Sequence, residues 1–271
     1  MRGRAQAIAV ACIPVIGFFV VGLVTLRKGL QEGGLVLLVG LIPWLFTLES
    51  QAALVFVVGL SVQLLITAAV LRLTQSWPKA LITVAGLSCA FWLMPSAAEI
   101  VEQYKLHFSE AYKNMLQTEE PIPLFTLFDQ YSTMDVQAVF ASAASEVLVV
   151  CLLLARYCQA ALYNPGGFKQ EFHHLRFSRV QGIALVGLIV ACTLMDEHWQ
   201  LWINVLALPL LIAGIGLVHC LVAKRGLGVQ TLVMFYVGLI VVMPLFVPML
   251  VVIAFTDSLV DLRRYIAPKA H

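Results

Sequence analysis

Residues 198–223 read HWQLWINVLALPLLIAGIGLVHCLVA, a run of 26 residues that contains no Asp, Glu, Lys or Arg. A helix that crosses a membrane needs about 20 consecutive, mostly apolar residues. The sequence contains eight apolar segments of this general kind: Ala5–Leu26, Gly33–Leu48, Ser50–Leu71, Ala80–Ala98, Val136–Ala155, Val180–Met195, His198–Ala223 and Gly226–Thr256. This pattern predicts an all-α, polytopic transmembrane bundle that forms a single integral membrane domain over residues 1–271.

The composition agrees with a membrane protein. Of the 271 residues, 61% are hydrophobic and 12% are charged, and the mean hydropathy is +0.93. Soluble domains contain about 45–50% apolar and about 25% charged residues, so a soluble enzyme and a disordered protein are excluded. The net charge is only +2, which gives no attraction to a polyanion. We therefore expect membrane lipids, and not nucleic acid, among the partners.

The charges between the segments alternate in sign. Basic residues occupy every second connection: Arg27, Lys28, Arg72, Lys79, Arg156, Lys169, Arg176, Arg179, Lys224 and Arg225. The remaining connections are acidic or nearly neutral. Because basic loops stay on the cytoplasmic side of a membrane protein, these loops are predicted to be cytoplasmic and residues 96–133 extracytoplasmic.

The first and last segments conflict with this topology if each is a single span, because the basic residues near both termini would then lie outside. Both termini become cytoplasmic if these segments are broken or re-entrant at Pro14 and between Pro244 and Pro248. Irregular backbone at membrane depth requires surrounding protein or a water-filled cavity. The 22 residues of Ala5–Leu26 nevertheless suit one span better than two. We expect cytoplasmic termini.

Residues 96–133 are predicted to contain an amphipathic helix from about Ala97 to Leu116, since apolar residues recur there at helical spacing. Ser96 with Glu99, and Ser132 with Asp135, match the capping-box pattern for the starts of two helices. The amphipathic helix either lies on the membrane or bundle surface, or acts as a lid or docking surface.

Glu146 is the only acidic residue well inside an apolar segment. A carboxylate at that depth is costly, so we expect it to face the bundle interior, a cavity or a partner. Together with Gln63, Ser142 and Ser145 it forms a candidate intramembrane polar site. The site is either a polar contact between packed helices or a site for a substrate or proton.

Residues 163–179 are predicted to form a cytoplasmic loop and a short interfacial helix. The turn Asn164-Pro165-Gly166-Gly167 precedes the apolar side chains Phe168 and Phe172. With Arg156 and Arg176, these six residues make a candidate docking motif, which either anchors the segment to anionic lipid head groups or binds a cytoplasmic partner.

The C-terminal motif consists of Asp257, Asp261 and Arg263, followed by Arg264. This spacing predicts a salt-bridge network at the membrane surface and not an ion site. The consecutive residues 196–198 (Asp-Glu-His) do not converge on one ion, and no catalytic or nucleotide-binding motif occurs in the sequence. We therefore expect no enzyme activity, no metal and no cofactor. The six cysteines are expected to be small buried side chains.

The stretch ARYCQAALYNPGGFKQEFHHLRFSR at 155–179 resembles the YybS-like family of multi-pass membrane proteins, which have no assigned reaction. Arg27-Lys-Gly-Leu-x-x-Gly33 and Asp257-x-x-x-Asp261-x-Arg263 look similar as well. The resemblance implies a bacterial inner-membrane location. It also implies a distant kinship with the substrate-binding subunits of energy-coupling-factor transporters and with the rod-shape protein MreD, whose termini are both cytoplasmic.

Two functions follow as expectations. In the first, the chain is a transport-like subunit that binds an unknown small molecule in a cavity lined by Glu146 and Gln63 and depends on a separate energising partner. In the second, it is a non-enzymatic scaffold or assembly factor in a cell-envelope complex. The sequence narrowly favours the first of these functions.

Overall fold

The computed structural model describes residues 16–47, 51–116 and 131–265. This part of the chain contains α-helices, two short 3₁₀ helices and no strand, so the all-α prediction is confirmed there. The α-helices are α1 (Ile16–Lys28), α2 (Leu30–Thr47), α3 (Gln51–Thr74), α4 (Trp77–Trp92), α5 (Pro95–Leu116), α6 (Thr133–Tyr163), α7 (Gly167–His173), α8 (Arg179–Leu194), α9 (Ile203–Lys224), α10 (Val229–Val241) and α11 (Met243–Val260). The 3₁₀ helices are Glu197–Trp202 and Leu262–Arg264.

Within the described residues, four helical stretches are long and apolar enough to cross a membrane: Ala53–Thr74, Thr133–Tyr163, Glu197–Lys224 and Met243–Val260. A fifth is present if α4 and the first part of α5 count as one bent span. The predicted number of about eight spans is not confirmed. One reason is length, since α8 has only 16 residues and the apolar part of α2, Leu30–Phe46, is also short. They extend about 24 and 26 Å, less than the roughly 30 Å of a hydrocarbon core. The first predicted segment, Ala5–Leu26, lies partly outside the described residues.

The chain bends by 73° between α4 and α5. Helix α5 is therefore directed away from the axis of α4 and packs on α3 and α6. Its residues Ala97 and Val101 are fully buried against Trp92 and its neighbours. The predicted amphipathic helix is confirmed, but it begins at Pro95. Ser96 consequently lies inside the helix instead of preceding it as a cap.

The last apolar segment is broken, as predicted. Helix α10 ends before Val242, whose backbone leaves the helical region at φ −120° and ψ 38°, and α11 starts at Met243. Pro244 lies in the first turn of α11, where its missing N–H is tolerated. The rings of Phe235 and Phe246 approach to 6.4 Å between centroids across this break, so α10 and α11 fold back on each other. At the other terminus, the predicted break at Pro14 lies in residues 1–15, outside the described residues.

Helices α9 and α11 run parallel and in close contact. Leu250 packs against Gly214 near the middle of both helices. Further along, Lys224 Nζ donates a hydrogen bond to the carbonyl of Arg263 at 2.8 Å. Because α10 connects the end of α9 to the start of α11, it must run in the opposite direction. The start of α10 and the end of α11 therefore lie at the same end of the bundle, which we call the basic end.

The long helix α6 lies at the centre of the fold, in contact with α1, α3, α4, α5, α7 and α9. Its buried residues Leu148 and Leu152 join Leu64 of α3 and Leu210 of α9 in the main hydrophobic core. The capping box of Ser132 and Asp135 fixes the start of α6, which confirms that prediction.

The outer surface is also apolar. Large hydrophobic side chains such as Phe46, Val180 and Leu194 are each about four-fifths exposed, at 85%, 78% and 81%. A soluble monomer rarely exposes extended apolar surface. An apolar interior combined with an apolar exterior is typical of a chain embedded in lipid.

The close contact between α9 and α11 depends on the absence of a side chain at Gly214. A Cβ there would lie 2.7 Å from the carbonyl oxygen of Leu250, which is backbone and cannot move aside. We expect Gly214→Ala to destabilise the purified protein by about 1–3 kcal/mol, measured as thermal unfolding in detergent. Gly187→Ala on α8 is the matched control because its Cβ meets nothing within 4 Å. Equal stability of the two variants would contradict the packing.

The fold also predicts which residues share one side of the membrane. Single cysteines at Leu227 and Tyr265, in a variant without the six native cysteines, are expected to label from the same side with an impermeant maleimide, because both exposed residues belong to the basic end. A cysteine at the exposed Glu197 is expected to label from the opposite side. Labelling of Tyr265→Cys together with Glu197→Cys would mean that α11 does not return to the basic end.

Candidate functional site

Two of the predicted motifs come together at the basic end. The loop 163–179 lies between the end of α6 and the end of α11, and the C-terminal motif packs against this loop. We call the resulting group of side chains the polar end cluster: Arg156, Glu171, Arg176, Asp257, Asp261 and Arg263.

Arg263 is the most buried basic side chain of this cluster. Its Nε donates to Asp257 Oδ2 at 3.1 Å, and its two terminal nitrogens donate to the carbonyls of His173 and Leu175. The side chains of Arg263 and Asp257 are 9% and 3% exposed. Asp257 Oδ1 is buried without a hydrogen-bond partner among the described residues. The arginine therefore supplies the only neutralising contact that the structure gives this carboxylate.

A second ion pair holds the start of the loop to α6. The guanidinium of Arg156 makes a bidentate pair with the carboxylate of Glu171. Trp77 Nε1 donates to the same carboxylate at 3.2 Å. Glu171 is not part of the predicted docking motif, although it is the only acidic residue in the basic stretch 155–179. A single acidic residue among several basic ones is the sequence feature that could have identified it as an ion-pair partner.

Arg176 and Asp261 complete the cluster. Arg176 Nε donates to the carbonyl of Asp257 at 2.7 Å and its Nη2 to that of Ser258 at 3.2 Å. These carbonyls belong to the last turn of α11, and that of Asp257 also accepts from the N–H of Asp261 at 2.9 Å. Asp261 pairs with Arg176 at 3.4 Å and with Arg264 at 2.7 Å. The predicted salt-bridge network of the C-terminal motif is thus present and extends to the loop.

The turn before α7 has the predicted form. Gly166 adopts φ +86°, a left-handed conformation that glycine takes without steric cost. The N–H of Gly167 donates to the carbonyl of Asn164 at 2.9 Å, while Asn164, Pro165 and Gly166 remain exposed. The turn redirects the chain from α6 into α7.

The apolar side of α7 contacts protein instead of lying free for lipid. The ring of Phe168 is 6.2 Å from that of Trp77 and 5.9 Å from that of Tyr157. Phe172 lies 5.4 Å from His219. Aromatic side chains bury a large apolar area when they pack against neighbouring helices. The contacts of Phe168 and Phe172 therefore favour packing within the protein over anchoring in the membrane.

His173 lies among cationic neighbours. Its partial burial, together with the positive charges of Lys169 and Arg263 and the nearby His219 and His174, lowers the pKa of His173 below its ordinary value. We therefore expect a neutral imidazole at neutral pH, which adds no further positive charge beside Arg263.

The residues of the predicted intramembrane site do not meet. Gln63 is buried between α3 and α4, where its Oε1 accepts a hydrogen bond from Ser88 at 3.1 Å. Ser142 and Ser145 donate to carbonyls of their own helix, those of Ala138 and Ala141. Glu146 is on the exposed face of α6.

The expected cavity between Glu146 and Gln63 is therefore not formed by these two side chains. Helix α6 is apolar on nearly all sides, so its sequence pattern does not identify the buried face.

At the opposite end of the bundle, His198 meets the capping box of α6. Its Nδ1 lies 3.1 Å from both Ser132 Oγ and Asp135 Oδ1. A Ser-His-Asp triad requires the serine and the aspartate on different ring nitrogens. Because both contact Nδ1 here, the arrangement joins the 3₁₀ helix Glu197–Trp202 to α6 and does not activate the serine.

Among the described residues, no group of three or more His, Cys, Asp or Glu side chains could hold a metal ion. Cys151, Cys192 and Cys220 are buried, and Cys89 and Cys158 are half-buried. Cys12 lies outside the described residues.

No protein-family model, no curated protein and no solved structure matches this chain.

The buried pair predicts a large difference between two neighbouring arginines. Arg263→Gln leaves the Asp257 carboxylate buried without a countercharge, which destabilises proteins by about 3–5 kcal/mol. Arg264, whose side chain is 82% exposed, pairs with Asp261 in solvent. Arg264→Gln is therefore expected to change stability by no more than about 1 kcal/mol. Chemical or thermal unfolding in detergent measures both. Comparable effects of the two variants would show that the buried pair does not hold the cluster together.

Proposed function

We propose that this chain is a non-enzymatic membrane subunit that assembles with another membrane protein through the outer face of α6, around Glu146. The single observation that supports this function is the outward position of a carboxylate in the middle of a long apolar helix. This proposal corresponds to the scaffold or assembly class.

The depth of Glu146 is the first support. The apolar part of α6 extends from Val136 to Ala155, between Asp135 and Arg156. Glu146 lies at its centre, about 20 Å along the helix from Thr133. A carboxylate at the centre of a bilayer costs roughly 2.5–3.5 kcal/mol on insertion scales, and a hydrogen-bonding partner offsets that cost.

The surroundings of Glu146 are the second support. Its neighbours on the exposed face include Val139, Val147, Val150 and Leu154. Among the described residues, no hydrogen bond or ion pair joins Glu146 to another side chain. A transmembrane helix that carries a Lys or Arg side chain at the same depth has the complementary chemistry, because it supplies both a positive charge and hydrogen-bond donors.

One observation supports the transport-like alternative. Gln63 Nε2 is buried without an acceptor among the described residues. Such a donor suits a bound molecule or a water in the interior. A ligand site would then lie between α3 and α4, and Glu146 would serve the energising partner and not the ligand.

The remaining parts of the proposal concern placement and family. The resemblance at 155–179 supports a bacterial inner membrane as the location, and the alternation of basic loops supports a cytoplasmic basic end with residues 96–133 outside. The return of α11 to the basic end is compatible with a cytoplasmic C-terminus. Membership of the YybS-like family rests on the motif at 155–179.

The test is site-specific photocrosslinking in native membranes. A photoreactive residue at the exposed Ala143, beside Glu146, is expected to yield one discrete adduct with another membrane protein. The matched control is the same photoreactive residue at Leu188, on the exposed face of α8. Glu146→Leu is expected to reduce the Ala143 adduct by about tenfold or more, since the loss of a buried charge pair exceeds 1.4 kcal/mol.

Three results would contradict the proposal. They are crosslinks to lipid alone at both positions, an adduct that Glu146→Leu leaves unchanged, or an adduct whose mass is twice the 29.8 kDa of this chain. The last result would identify a second copy instead of a different protein.

A further inference from the structure

A polar groove lies at the basic end, between the start of α8 and the end of α11. It is lined by Arg176, Ser178, Arg179, Leu259, Asp261 and Arg264. Its volume is about 520 Å³ including the open mouth. The two helices meet closely here, because a Cβ at Gly182 would lie 2.3 Å from Ser258 Oγ. The groove is therefore a feature of the helix packing.

The groove has an excess of positive charge. Three arginines surround one carboxylate, that of Asp261. Arg179 and Arg264 use Nε for contacts within the protein, to the carbonyl of Leu259 at 3.1 Å and to Asp261 at 2.7 Å. In the part of the chain that the structure describes, these contacts leave the terminal nitrogens of both guanidinium groups available to an anion.

The start of α8 adds to this preference. Helix α8 has 16 residues, and Ser178 caps it by accepting from the N–H of Gln181. The preceding N–H groups of its first turn have no partner within the helix, and they carry the positive end of the helix dipole. An anion in the groove lies beside these groups as well as beside the arginines.

Apolar side chains border the groove on the side of the helices. Val180 and Ile183 of α8 and Val260 of α11 are exposed to at least half of their area. A ligand that fills both regions must have an anionic head and an apolar tail. Free phosphate satisfies only the first requirement.

We propose that this groove binds the phosphate of an anionic phospholipid, whose acyl chains lie along the outer faces of α8 and α11. Arg179 and Arg264 contact the phosphate. Arg176 holds the last turn of α11 in place through its bonds to the carbonyls of Asp257 and Ser258. The site differs from the α6 face around Glu146, and it does not depend on the function proposed for that face.

Native mass spectrometry of the full chain in detergent tests this site. Dioleoyl phosphatidylglycerol is titrated against dioleoyl phosphatidylcholine, which has the same tails and no net charge. The double variant Arg179→Gln/Arg264→Gln is expected to bind phosphatidylglycerol about 25-fold more weakly, at a factor of about five for each basic group near an anionic head group. Its affinity for phosphatidylcholine is expected to stay unchanged.

The matched control is Lys28→Gln/Arg225→Gln, which removes two exposed basic residues at the same end but outside the groove. It has the same net charge as the groove variant, and it is expected to retain the preference for phosphatidylglycerol. Thermal unfolding verifies that both variants are folded. An equal loss of affinity for phosphatidylglycerol in the two variants would show that the effect comes from net charge, and it would contradict a binding site in the groove. Displacement of phosphatidylglycerol by millimolar inorganic phosphate would overturn the assignment to a lipid.

Discussion

The buried guanidinium of Arg263 determines how the two halves of the basic end meet. It connects a carboxylate on α11 with two carbonyls of the loop after α7. A buried ion pair gains little unless its remaining hydrogen-bonding groups are satisfied. Here the three contacts of the arginine lie on separate segments of the chain. The position of the end of α11 therefore depends on the packing of α7 against α6 and α9.

The same constraint explains the composition of the loop 163–179. Its charged residues act in pairs across elements, with Glu171 joined to Arg156 of α6 and Arg176 joined to the end of α11. The aromatic side chains Phe168 and Phe172 fill the space beneath. A segment that looked like an independent interfacial helix is thus a structural connector, which fixes the relative position of three spans and orients the groove beside α8.

The sequence was sufficient to predict those features that depend on interactions between adjacent residues. The capping box of Ser132 and Asp135, the positive φ of Gly166 and the break near Pro244 each depend on a few adjacent residues. The number of spans was not predictable in the same way, because α2 and α8 are apolar but short. The exposed face of α6 and the partners of Arg263 depend on long-range packing, which periodicity does not encode in helices that are apolar all round.

The acidic residues differ in whether they have a partner within the chain. Asp135, Glu171, Asp257 and Asp261 each have a partner within the chain. Glu146, which lies deeper in the apolar region than any of these four, has none among the described residues. The energetic cost of an unpaired carboxylate increases with depth in the membrane. A requirement for stability alone would therefore favour a partner for Glu146 more strongly than for the four shallower carboxylates. The stability of the isolated chain does not account for the position of Glu146, whereas the proposed contact with another membrane helix would.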